Sequence, residues 1–171
     1  MTPRAGRPLN PAVWLGAPML ACCAASIVFA LPIRLFGFAP PEPVFALAPA
    51  FAWAMMRPSL LPPIALTVLG LFLDTLWGGP LGLWPLCLLA AYGSALLARA
   101  LLLGQDFLAM WAGYAGACAA AMVTGLICME LKAGAVPSLV GAAWQWVASA
   151  ALFPFAWRLI ERYEAADARF R

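Results

Sequence analysis

Histidine is absent from this sequence and charge is scarce. The commonest metal ligand and the usual acid–base group at neutral pH are therefore missing. Only 10% of the 171 residues are charged, against about 25% in an average soluble domain. Hydrophobic residues make up 65%, and the mean hydropathy is +0.93. No polar stretch is long enough for a soluble domain of its own, so the chain reads as an all-α integral membrane protein that is nearly all membrane unit. The ten basic residues are scattered and the net charge is only +3, which leaves no footprint for nucleic acid. The five cysteines (Cys22, Cys23, Cys87, Cys118 and Cys128) fall inside apolar runs with no CxxC spacing, so they read as small buried hydrophobes. A Ser/His/Asp set, paired intramembrane carboxylates and a phosphate-cradling loop with its Lys are also missing. Neither an enzyme nor a bound cofactor or metal is expected.

What is present is a series of apolar runs. Residues 1–10 are polar and basic, with Arg4 and Arg7. The run 12–33 that follows is too long for the 7–15-residue core of a signal peptide and long enough to cross a bilayer, so it reads as an uncleaved first span. The second run, 44–56, contains Pro49 and would reach roughly 20 Å as a helix, short of a roughly 30 Å hydrocarbon core. It is the weakest span. The third run, 60–77, tolerates Pro62 and Pro63 because they fall in its first turn. Runs at 81–97, 107–129 and 136–157 complete six transmembrane helices within a domain of residues 11–160. A charged C-terminal tail, 161–171, follows, with 158–171 reading as a short surface helix.

Loop charges orient the spans. Six crossings put Arg4, Arg7, Arg57, Arg99, Arg158, Arg162, Arg169 and Arg171 on one side and only Arg34 and Lys132 on the other. Both termini are then cytoplasmic. Five crossings would split the two basic ends across the membrane, so the charge rule counts the short second run as a crossing. Trp14, Trp53, Trp111 and Trp157 fall near the cytoplasmic ends, and Trp77 and Trp84 near the outer face, as interfacial belts do.

Asp74 is the only acidic residue set inside a hydrophobic segment. Such a group costs about 2.5–3.5 kcal/mol on insertion scales at a helix centre, so something must offset it. Arg57 lies at the other end of the same span, about 26 Å away, and no other charge shares the depth of Asp74. Glu130 and Lys132 are the nearest by topology. The fourth helix opens at Pro80-Leu81-Gly82, where unsatisfied amides carry partial positive charge. Asp74 is therefore expected to clasp spans three and four by accepting from those amides. Gly78, Gly79 and Gly82 would let the backbones approach. A proton-carrying or ligand-binding role is the alternative. Ala17, Ala21 and Ala25, then Gly113, Ala117 and Ala121, then Gly116 and Ala120, recur at small-xxx-small spacing, read chiefly as internal packing. Gln145, between Trp144 and Trp146, reads as bonding to a neighbouring helix.

Together the segments Ala52-Trp53-Ala54-Met55-Met56-Arg57-Pro58, Gly70-Leu71-Phe72-Leu73-Asp74 and Gly78-Gly79-Pro80-Leu81-Gly82 resemble the rod shape-determining MreD family of bacteria. One departure is Trp84, near which that family more often has His. The resemblance implies a compact six-helix bundle similar to the substrate-binding subunits of energy-coupling-factor vitamin transporters. It implies a non-enzymatic subunit of the bacterial inner membrane that binds a bitopic MreC-type protein. Through that protein the subunit would link MreB filaments to a SEDS-type glycosyltransferase and a penicillin-binding transpeptidase. Two surfaces would carry this role: the region of Asp74, Gly78, Gly79, Leu81 and Gly82, and the basic cytoplasmic rim with Arg57 and Pro58, Arg99 and the tail, beside membrane lipid. The transporter likeness supplies the alternative function, a vitamin-type binding subunit, for which Ala17, Ala21 and Ala25 would dock a coupling subunit.

Overall fold

A computed structural model of the chain describes residues 12–30, 43–56, 58–133 and 138–168. Arg4, Arg7, Arg34, Arg57, Arg169 and Arg171 lie outside the described residues, as do residues 134–137. Every regular element among the described residues is a helix. A π-turn at Ala12–Gly16 leads into α1 (Ala17–Ala30), followed by α2 (Leu47–Met56), α3 (Leu61–Trp77), α4 (Leu83–Leu102), α5 (Phe107–Ala133), α6 (Leu139–Ala150) and α7 (Phe153–Ala168). Three stretches are long and apolar enough to cross a membrane: Leu83–Leu102, Phe107–Lys132 and Leu139–Glu161. Only 22% of the apolar window is buried in each of the last two. A soluble fold would hide such faces, whereas hydrocarbon accepts them.

Side-chain bonds define the two ends of the bundle. At one end Trp53 Nε1 donates to the Trp14 carbonyl and Arg99 Nε to the Met55 carbonyl. That end gathers the finish of α2, the finish of α4 and the start of α5. At the opposite end the turn between α3 and α4 meets Lys132 from the finish of α5.

α2 is the centre. Residues 47 to 55 are all buried, and α2 packs on α4 and α7. Ten residues reach only about 15 Å, half of a hydrocarbon core. Trp53 is 0% exposed and stacks no belt. Its expected place at an interface is corrected, because a fully enclosed helix offers Trp no lipid boundary. Phe51 meets Tyr114 edge-on at 5.4 Å between centroids, and Tyr114 lies 5.7 Å from Phe153.

The last apolar run is broken rather than continuous. Pro154 has no N–H to give the Ala150 carbonyl, so the helix interrupts at Ala151 and Leu152. Trp111 Nε1 takes that orphan carbonyl at 3.0 Å. Tyr114 Oη donates to the Ser149 carbonyl at 3.1 Å, and Ser149 Oγ accepts from the Val44 amide just before α2, also at 3.1 Å. The break therefore supplies a polar seat for the start of the buried half-helix. Beyond it α7 runs on to Ala168, so the expected surface helix is the continuation of a helix that starts inside the apolar run.

Candidate functional site: the Asp74 node

Asp74 sits one turn before the end of α3 and is 1% exposed. Its Oδ2 accepts from the Gly82 amide at 2.6 Å and its Oδ1 from the Trp84 amide at 3.0 Å. Gly82 is the N-cap of α4 and has no side chain to cap with, so the cap comes from the preceding helix. The remaining amides of that first turn are accounted for. Leu83 donates to the Pro80 carbonyl, Leu86 donates to the Gly82 carbonyl, and Pro85 has no N–H. A helix start normally leaves four donors open; here none is left for a ligand. Below the carboxylate, the Asp74 carbonyl accepts from Gly79 at 3.1 Å and from Gly78, closing the C-terminus of α3. One residue thus ends one helix with its backbone and starts the next with its side chain.

Lys132, one of the two charges nearest to Asp74 by topology, reaches the turn. Its Nζ donates to the Leu81 carbonyl at 3.2 Å, and the amide of the same Leu81–Gly82 peptide unit points at Asp74 Oδ2. Ammonium and carboxylate are therefore joined through one peptide group, each polarising it in the same sense. Asp74 itself makes no ion pair among the described residues, as expected; α5 is long enough to carry the exposed Lys132 over the turn to the other side of that peptide group.

The glycines divide the work differently from expectation. Gly78 (φ +63°) and Gly82 (φ +92°) are in the left-handed region that side chains disfavour. A Cβ on Gly78, Gly79 or Gly82 would meet nothing within 4 Å. The close approach is at Gly70, where a Cβ would fall 2.6 Å from Pro85 Cα. Gly79 has neither role. Gly70 was visible in the sequence only as the head of the Asp74 segment, because which backbone crosses it is a tertiary fact.

Leu81 projects outward at 68% exposure, and Trp77 packs edge-on against Trp84 at 4.8 Å. Trp77 Nε1 is buried without a hydrogen-bond partner among the described residues. Pro58, exposed just before α3, lies at the far end of that helix from the node, so the segments quoted for the resemblance do not form one site. Beside the node a cavity of about 250 Å³ opens between α4, α5 and α6, lined by Trp84, Cys87, Met122, Ser138 and Gln145 among others. Gln145 makes no hydrogen bond among the described residues, contrary to its expected bond across to a helix; its neighbour Trp146 makes one instead, to the Ala115 carbonyl.

Of the small-residue stripes, Ala117 and Ala121 are buried, with Gly113 against Leu102. Ala17 and Ala21 face outward instead, and α1 buries Pro18, Cys22 and Ser26. The internal-packing expectation holds for Gly113, Ala117 and Ala121 of α5, and is corrected for α1 and for the second α5 stripe, where Gly116 is exposed with open space beside it and Ala120 is only half-buried. All of these stripes recur every four residues, so spacing alone cannot tell which one meets a neighbour.

No family model, curated protein or solved structure matches the chain. The node's own chemistry is that of a saturated backbone joint: every amide in the first turn of α4 is engaged within the chain.

Proposed function

We propose that this protein is a non-enzymatic scaffold subunit of the bacterial cell-elongation machinery, crossing the inner membrane six times with both termini in the cytoplasm. In this reading it binds a bitopic MreC-type protein and so links MreB filaments to the glycosyltransferase and transpeptidase that build peptidoglycan. The observation that supports it best is the saturated Asp74 node. A carboxylate whose two oxygens hold two amides of the next helix fixes the angle between α3 and α4. It presents Leu81, Trp77 and Trp84 as a preformed outer surface. Such rigidity suits a docking face, since a preorganised surface lowers the ordering cost of binding. The basic end with Arg99 and Arg158 is the second surface, toward anionic lipid and the cytoplasmic partners.

A vitamin-type binding subunit of an energy-coupling-factor transporter is the second reading. Two observations favour it: the 250 Å³ cavity beside the α3–α4 turn, and the outward stripe of Ala17 and Ala21. Against it, the cavity's named polar side chains are few, and Ser138 Oγ already accepts from the Gly141 amide. Specific small-molecule sites rely on several placed polar groups.

Purification from its native membrane in mild detergent, with mass spectrometry of what co-elutes, separates the two. Co-elution of an MreC-type protein and a transpeptidase supports the scaffold. A bound vitamin together with a coupling ATPase would overturn it.

A further inference from the structure

A cavity of about 400 Å³ lies at the opposite end of the bundle from Asp74, between the ends of α2 and α4, the start of α5 and α7. Its size falls in the range of small-molecule sites. Arg99 stands on one wall, with its Nε anchored on the Met55 carbonyl at 3.1 Å. Glu161 stands on another, its Oε1 accepting from Trp157 Nε1 at 2.6 Å. These bonds orient both groups while leaving the outer guanidinium nitrogens and Glu161 Oε2 without a partner among the described residues. The two charges share one cavity, yet form no ion pair with each other. The rest of the lining is largely apolar, including Met55, Met110 and Leu103. Leu103 and nearby Leu101 and Phe107 are exposed around it, where acyl chains would lie against a membrane protein.

We propose that this cavity binds the headgroup of a zwitterionic phospholipid, with phosphate at Arg99 and a primary ammonium at Glu161. A planar guanidinium with free N–H groups recognises phosphate. A carboxylate oxygen with open lone pairs accepts from an ammonium. Phosphatidylethanolamine carries both groups on one short linker. Phosphatidylglycerol has no cation for Glu161, and the trimethylammonium of phosphatidylcholine has no N–H to donate. The site is separate from the Asp74 node and does not depend on the scaffold role.

The test is native mass spectrometry of the full chain in detergent, titrated with phosphatidylethanolamine, phosphatidylglycerol and phosphatidylcholine of matched acyl chains. Phosphatidylethanolamine should bind about tenfold tighter than the other two, the loss expected for one charge-assisted bond. Glu161→Gln keeps an acceptor for Trp157 and should remove that preference while leaving phosphatidylglycerol binding unchanged. Arg99→Gln should weaken all three lipids, and Arg99→Lys less so. Unchanged tryptophan-fluorescence melting of Glu161→Gln verifies the fold. Equal binding of the three lipids, or a preference that survives Glu161→Gln, would overturn the proposal. Displacement of the lipid by equimolar glycerophosphoethanolamine would overturn a lipid source for the headgroup.

Discussion

Replacing Asp74 by alanine should destabilise the protein by about 2–4 kcal/mol. The carboxylate accepts two amide bonds at 2.6 and 3.0 Å, and a hydrogen bond to a charged group contributes about 1.5–3 kcal/mol. Losing the carboxylate also strands two part-buried donors. Relief of the burial cost of a charge offsets part of this total. Asp74→Asn retains one carbonyl oxygen, but its NH₂ then faces the second amide, so its loss should be smaller, about 1–3 kcal/mol on the same reckoning. Unfolding in mixed micelles titrated with SDS, followed by tryptophan fluorescence, reads these differences, with Trp77 and Trp84 reporting beside the node. The peptide relay adds a second readout. Lys132→Met should destabilise the wild-type background measurably more than the Asp74→Ala background, a non-zero coupling in a double-mutant cycle. Stability of Asp74→Ala within about 0.5 kcal/mol of wild type, the range of neutral surface changes, would refute the clasp. Equal and independent effects of Lys132→Met in both backgrounds would refute the relay.

Gly70→Ala should destabilise by about 1–3 kcal/mol through overpacking against the Pro85 backbone, whereas Gly79→Ala should be near neutral; the same micelle unfolding checks both. Trp111→Phe should cost about 1–3 kcal/mol by leaving the Ala150 carbonyl unbonded at the Pro154 break, and hydrogen exchange should rise first in residues 150–155. Equal protection there in the variant and the wild type would rule out a structural role for that bond.

Apolar run lengths, scarcity of charge and the Pro and Gly positions located the helical stretches, because long apolar runs bounded by Pro and Gly form helices, but not the break before Pro154 that divides the last run into α6 and α7. The clasp was legible for a local reason: a carboxylate eight residues before a glycine-started helix has bare amides within reach. Tertiary structure decided the rest. That α2 is a buried half-helix depends on its neighbours, since an apolar run looks alike facing lipid or facing protein. Whether Ala17 or Ala117 is covered, and whether Gly70 or Gly79 meets a backbone, depends on which helix crosses where. The Lys132 contact with the Leu81 carbonyl and the shared cavity of Arg99 and Glu161 join residues 51 and 62 positions apart. No local pattern encodes such pairings; only the packed bundle brings those charges to one place.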